Sequence, residues 1–308
     1  LEDFQKVPGL RLAYWINRKL FETFGSGQIL EDVLTPRQGM ATSDNARFLR
    51  FWWEVSSKDI KREALTHDDA QDSNCKWFPY NKGGTPNRWY GNHEYVVNWF
   101  KSGEELKAYA SSLYGSPTRT IKNIPFYFRK GITWGDMTFK NKQGEETFAA
   151  RYNPEGFIFD IMGPSGFPTD DDLLTVISIL NSKVLKEYMS FMNPSSHFQV
   201  GDVRNIPFRK SNELKAEIET HASEAIKLSK ELYFREETAP DNIFINSNLL
   251  KDGFISEDIK QHMQVSKQKI ESLASIEAKI NKLCFQMYGL DSPKETNSTD
   301  DVTYSEKP

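Results

Sequence analysis

Two stretches near the end of this chain repeat apolar residues every three or four positions, a spacing that no sheet can use. Leu214, Ile218, Ala222, Ala225, Leu228 and Leu232 make one seam; Ile259, Met263, Ser266, Ile270, Leu273, Glu277, Ile280, Leu283 and Met287 make the other. The period predicts two long helices with one apolar stripe each. Joined through Pro240, Asn242, Asn246 and Asn248, they pack most simply as an antiparallel hairpin. Gly289 supplies the C-terminal stop, and the polar residues 291–308, with Pro293 and Pro308, are expected to be disordered.

Ahead of Pro207 the character is different. Residues 12–24 carry Leu12, Trp15, Ile16, Lys19, Leu20 and Phe24 at helical spacing, ended by Gly25 and Gly27. Residues 29–34 and 48–55 read as strands, and the charged stretch 56–73 as a loop. From Trp77 to Phe159 short strands alternate with Gly, Asn and Pro, and 148–152 with 157–161 read as a hairpin across Asn153-Pro154-Glu155-Gly156. Thr169 and Asp172 start a buried helix that runs from Leu173 to Met192. The expected class is α/β: an irregular mixed α+β domain over residues 1–210, a helical hairpin over 211–290, and a tail.

Charge divides along the same line. Lys76 to Arg151 holds 12 Lys and Arg against 6 Asp and Glu, with 16 of the chain's 40 aromatic residues; residues 211–308 hold 12 basic against 18 acidic, inside an overall charge of −4. A cationic, ring-rich centre on an acidic chain suits a polyanion, with rings to stack or wedge against it. Lys76-Trp77-Phe78-Pro79-Tyr80-Asn81-Lys82-Gly83-Gly84 is its sharpest local signal.

The sequence carries no recognisable catalytic pattern. No Asn-Pro-Pro-Tyr-like loop is present, no Gly-rich strand–turn–helix, no Gly-x-Ser-x-Gly elbow and no phosphate loop. Gly25-Ser26-Gly27 follows a helix, and Asn153-Pro154 and Asn193-Pro194 read as turn formers. The five histidines are scattered, and Cys75 and Cys284 are too far apart for a metal knuckle, which fits a reducing compartment. With no signal peptide and a polar-interrupted apolar segment, the expectation is a soluble, cytoplasmic piece of a longer protein that binds rather than catalyses.

Four stretches carry a resemblance. They are Gln38-Gly39-Met40-Ala41-Thr42-Ser43-Asp44-Asn45-Ala46-Arg47-Phe48-Leu49-Arg50-Phe51-Trp52-Trp53-Glu54-Val55; the Lys76–Gly84 block with Trp89-Tyr90-Gly91-Asn92; Tyr127-Phe128-Arg129-Lys130-Gly131-Ile132-Thr133-Trp134 with Arg151-Tyr152 and Gly156–Asp160; and Leu180-Asn181-Ser182-Lys183-Val184 with Asn193-Pro194 and Phe198–Pro207. Over residues 4–290 the chain resembles the C-terminal portion of PglX, the adenine-specific DNA methyltransferases of BREX phage defence. The first and fourth stretches recur in type I and type IIG specificity domains, and Ser43 stands where that pattern often has Gly.

The resemblance implies a target-recognition domain that clamps double-stranded DNA against an upstream methyltransferase domain outside this chain. S-adenosylmethionine would be held by that domain; no cofactor, metal or catalytic residue is expected here, nor any membrane contact. Candidate DNA-binding residues form four loops: Arg37, Gln38, Thr42, Ser43, Asn45 and Arg47; Lys76, Tyr80, Asn81, Lys82, Arg88, Trp89 and Tyr90; Arg129, Lys130, Thr133 and Trp134; and Ser195, Ser196, His197 and Gln199. Lysines and arginines would neutralise phosphates, while Arg, Asn, Gln and hydroxyl groups would read base edges. Two other readings stand beside this one: a type IIG specificity domain, and a protein-interaction module that contacts other phage-defence proteins.

Overall fold

The computed structural model describes residues 18–25, 27–137, 139–140, 146–193, 197–236, 238–240 and 255–291. Residues 12–17 of the expected helix over 12–24 lie outside them; its described part is α1, Arg18–Glu22, followed by a 3-10 turn, Thr23–Gly25. The further helices are α2 (Asn45–Phe48), α3 (His67–Asp72), α4 (Phe100–Tyr114), α5 (Leu173–Asn181), α6 (Lys183–Met192), α7 (Val200–Arg204), α8 (Lys215–Tyr233) and α9 (Ile255–Tyr288). The strands are β1 (Leu34–Arg37), β2 (Leu49–Phe51), β3 (Trp77–Asn81), β4 (Tyr95–Asn98), β5 (Gly131–Trp134), β6 (Phe139–Lys140), β7 (Glu146–Thr147), β8 (Ala150–Asn153), β9 (Ile158–Phe159) and β10 (Ser165–Pro168). The class is the mixed α/β one that the sequence predicts.

Two four-stranded sheets organise the first two hundred residues, in the orders β1-β10-β5-β8 and β2-β4-β3-β9, with β6 and β7 as a separate ribbon. The first sheet is antiparallel, and one register row runs Arg37, Ser165, Thr133, Arg151 across it. In the second sheet β9 lies parallel to β3. The predicted 148–161 hairpin is therefore wrong: β8 pairs with β5 and β9 with β3, in different sheets. A turn-forming tetrapeptide reverses the chain but does not choose its partner strand.

Other local readings are corrected in the same way. Leu30–Asp32 is a short 3-10 turn ahead of β1, and only Leu49–Phe51 of the ring-rich 48–55 stretch is strand. The charged loop 56–73 contains α3, capped by the Thr66 hydroxyl, which accepts from the Asp69 amide at 3.1 Å. The single buried helix is two: Ser182, extended at φ −84° and ψ 159°, separates α5 from α6. Asn181 closes α5 against the sheet, donating to the Ala150 carbonyl and accepting from its amide, each at 2.9 Å.

Helices α8 and α9 form the expected antiparallel hairpin. Glu231, in the last turn of α8, meets Lys269 of α9, and Arg235, just beyond the end of α8, meets His262, nearer the start of α9. Gly289, at φ +67°, ends α9 as read from sequence, a conformation glycine reaches without a side-chain clash. Residue 210 marks a change in sequence character rather than a break in packing. Ile218, Ala222, Ala225, Leu273, Ile280 and Leu283 share one core with Leu34, Ile132, Val176 and Leu180. A second core, of Phe48, Phe78, Tyr80, Val97, Trp99, Tyr127, Phe128 and Phe159, lies against the second sheet. Among the described residues no helix is long and apolar enough to cross a membrane. The expected tail and the Asn242, Asn246 and Asn248 connection lie outside the described residues.

Candidate nucleic-acid interface

Two of the four expected loops meet on one ring. The Arg37 guanidinium, at the end of β1, lies 4.9 Å from the centre of the Phe126 ring, and that of Arg129 lies 5.2 Å from it. Phe126 sits in a 3-10 turn, Ile124–Phe126, entered through Asn123 in the left-handed region at φ 56°. The Asn123 amide donates to the Gln38 carbonyl at 2.8 Å and ties the two loops together. No described carboxylate pairs with Arg37, Arg129 or the exposed neighbour Lys122. Two guanidiniums against one ring, neither paired with a described carboxylate, are arranged for an external anion.

The 37–47 loop is braced from beneath. Met40 donates to the Phe159 carbonyl and accepts from the Ile161 amide, each at 3.0 Å, and Ala41 donates to Thr120 at 2.9 Å. Gly39 passes so close to β9 that a Cβ there would stand 1.9 Å from the Phe159 carbonyl oxygen. Ser43 (φ 62°) and Asn45 are exposed at the tip. Thr42 is buried and donates to Asn45 at 2.6 Å, so its role is to shape the turn. Asp44 caps α2 by accepting from the Arg47 amide.

Arg47 is already engaged. Two of its nitrogens donate to one Glu105 oxygen at 3.0 and 2.8 Å, and this contact holds the Glu105 carboxyl below its usual range. Glu105 lines a cleft of about 630 Å³ with Asp59, Lys76, Asn98, Phe100, Lys101 and Glu104. Lys76 is exposed at this cleft, its ammonium 5.5 Å from the Trp77 ring.

The rest of the second loop is structural. Tyr80 has no exposed surface; its hydroxyl donates to Asp160 at 2.6 Å and to the Met40 carbonyl at 3.0 Å, and burial raises its pKa well above that of an ordinary phenol. Lys82 pairs with the same buried Asp160 at 2.7 Å. Asn81 donates to the Thr133 hydroxyl and so bridges the two sheets, and both are 1 % exposed. Arg88 and Trp89 both donate to Glu277 on α9, at 3.2 and 2.7 Å. Tyr90 packs edge-on against Tyr233. Tyr80, Asn81, Trp89, Tyr90, Thr42, Thr133 and Trp134 are therefore removed from the direct DNA contacts expected of them, because each is buried. Lys82, Arg88 and Arg47 hold carboxylates of the chain itself.

In the third loop Lys130 pairs with Asp170 at 3.0 Å, and the buried Trp134 indole donates to the Phe198 carbonyl at 3.2 Å. In the fourth, Ser195 and Ser196 lie outside the described residues. His197 is exposed with Nδ1 2.9 Å from Asp136, and the Gln199 amide donates to Asp202 at the start of α7.

No protein-family model matches the chain. Two curated relatives align along almost all of it. The adenine-specific methyltransferase PglX of Lacticaseibacillus casei (strain Zhang) is 31% identical over 313 residues, which is 95% of this chain and 24% of that protein. The adenine-specific methyltransferase BrxX of Escherichia coli O9:H4 (strain HS) is 32% identical over 301 residues, 96% of this chain and 23% of that protein. The chain is a PglX-like sequence. It spans about a quarter of the length of these relatives.

In this PglX-like chain, Asn123 and Phe126 complete the Arg37–Arg129 cluster, with the exposed Lys122 next to them in sequence, and sequence reasoning passed over them. The turn Asn123-Ile124-Pro125-Phe126, six residues after Pro117-Thr118-Arg119 opens, carried the signal of a presented ring. Gly25 closes the 3-10 turn Thr23–Gly25 that follows α1, so it stands after a helix, as its sequence context predicts.

Proposed function

We propose that this chain is the region of an adenine-specific methyltransferase that recognises double-stranded DNA, and that it positions a target adenine for a catalytic domain outside the chain. Arg37 and Arg129, unpaired by any described carboxylate and both held on Phe126, carry the reading. Guanidiniums fixed on a ring have lost part of their rotamer freedom before binding, which suits them to a phosphate or to the acceptor edge of guanine. Half-buried Gln38 and exposed Ser43 and Asn45 beside them supply further polar groups. In this reading the methyl donor, S-adenosylmethionine, binds the methyltransferase domain, and the parent enzyme works in BREX phage defence in the cytoplasm.

Titration of the full-length enzyme against duplexes bearing its mapped methylation site, and against scrambled duplexes, tests the proposal. Arg37→Ala or Arg129→Ala should cost about 1–3 kcal/mol on the cognate duplex if the residue reads a base. A phosphate contact instead lowers affinity for all duplexes and flattens the salt slope by about one unit. Wild-type affinity and slope in both variants would end the proposal.

A second reading has its own observation. Trp53, 45% exposed, stacks on Phe51 at 4.6 Å and 3°, Phe51 stacks on Tyr95, and Glu54 and Glu94 lie close enough to raise the Tyr95 pKa after burial. An anionic aromatic ladder suits a basic protein surface rather than a phosphate backbone. Trp53→Ala should leave DNA affinity unchanged and weaken assembly with such a partner.

A further inference from the structure

We infer that the helical hairpin is a clasp on the loop between β3 and β4, and that Glu277 is the positioning residue that fixes this loop's shape. The functional consequence rests on the DNA-recognition reading; the clasp itself does not. The loop runs in unusual backbone: Gly83, Gly84, Trp89, Gly91 and Asn92 all have positive φ, Trp89 at 69° and Asn92 at 62°. Side chains avoid this region, so the surrounding contacts must hold it.

Part of the hold comes from within the sheet domain. The Asn92 amide donates to the Gly83 and Thr85 carbonyls, both at 2.8 Å, and accepts from Asn87 at 2.8 Å. Arg151 on β8, fully buried, turns its guanidinium to the carbonyls of Gly83, Thr85 and Asn87 at a long 3.4 Å. The remaining hold comes from the hairpin, at the middle of the loop and towards its β4 end. On α8 the Tyr233 hydroxyl accepts from the His93 amide at 3.1 Å, and its ring lies 3.4 Å from where a Cβ on Gly91 would stand. On α9 the Glu277 carboxylate accepts from Arg88 and from the Trp89 indole.

Glu277 is out of place in a packing seam. It is 7% exposed and its neighbours on that face are Leu273, Ile276 and Ile280. An apolar residue would fill the seam without the desolvation that a buried carboxylate costs. What an apolar residue cannot do is accept two hydrogen bonds from the loop. A buried ion pair adds little net stability over apolar packing, whereas removing one partner leaves the other charge buried and uncompensated. The exposed Gly84 and the half-buried Thr85, Pro86 and Arg88 are then the rim of a loop whose shape depends on where α9 sits.

Hydrogen exchange on the full-length enzyme tests the clasp, and methylation-site mapping tests its consequence. Glu277→Leu should raise amide exchange in residues 83–93 about tenfold or more while β3 and β5 keep their protection. Glu277→Gln, which still accepts from the indole, should restore most of it, and Trp89→Phe, which removes the indole donor along with part of the ring, should reproduce at least part of the Leu effect. Glu277→Leu should also broaden the methylated sequence set. Unchanged exchange, or a rise spread evenly over both sheets, overturns the clasp. Loop-specific exchange with an unaltered site preference, in an enzyme whose preference Arg37→Ala does alter, keeps the clasp and overturns its role in site choice. If Arg37→Ala and Arg129→Ala bind DNA as wild type while the loop-specific exchange appears, the clasp stands and the DNA reading falls.

Discussion

The Lys82 ammonium lies 2.7 Å from a carboxylate oxygen of Asp160, a side chain with no exposed surface. Asp160 also accepts from the Tyr80 hydroxyl and from the Met162 amide at 2.7 Å. The lysine that sequence assigned to a phosphate therefore neutralises the post on which the 38–43 loop is built. Lys82→Ala should destabilise the fold by about 2 kcal/mol, the partly exposed lysine discounting the full cost of orphaning a buried charge. Denaturant titration measures this, and the salt slope of DNA binding should stay as in the wild type.

Gly39→Ala attacks the same post from the other side. A methyl group at 1.9 Å from the Phe159 carbonyl oxygen forces β9 and the loop apart, at a cost of about 3 kcal/mol. Denaturant titration should show the loss, and DNA discrimination should fall further than stability does because Gln38 and Asn45 move with the backbone.

Phe126→Leu keeps an apolar side chain and removes the π face under both guanidiniums. Stability should fall by about 1–2 kcal/mol, the sum of two partly exposed cation–π contacts. Both charges remain, so the salt slope of binding should not change while affinity does. An identical affinity would mean that Phe126 does not organise the pair.

His93 predicts an acid weakness. Burial, with Arg151 and Lys230 nearby, lowers its pKa from 6.5 to about 3, and the rings of Tyr90, Tyr233 and Phe157 enclose it. The unfolded chain binds the proton more readily, so the stabilisation is whole above pH 6.5 and is lost progressively as the pH falls towards 3. The loss is on the order of 4 kcal/mol. His93→Gln should flatten the stability profile over that window, measured by thermal melts at stepped pH.

The helices of the hairpin were legible because a 3.6-residue period is a local signal, strong over nineteen residues of α8. α4 was not legible: its first turn, Lys101-Ser102-Gly103, is left-handed, and the Gly and Pro punctuation around it suggested strands. The site was legible as loops and illegible as contacts for one physical reason. Arg47, Lys82 and Arg88 find their carboxylates at Glu105, Asp160 and Glu277, separated along the chain by 58, 78 and 189 positions. Local composition identifies a cation but not whether the fold has already neutralised it. Arg37 and Arg129 stand apart because no described carboxylate reaches them.

The shared core across residue 210 sets the unit in which this architecture can be recombined. Ile218 and Ala222 of α8 and Leu273 and Ile280 of α9 fill the space beside Val176 and Leu180. A chimera joined at 210 would set foreign side chains on both halves of that interior and leave holes or collisions. Grafts meant to transplant a new sequence preference should carry the sheets and both long helices as a single cassette, or exchange only the exposed tips around Ser43 and Arg129.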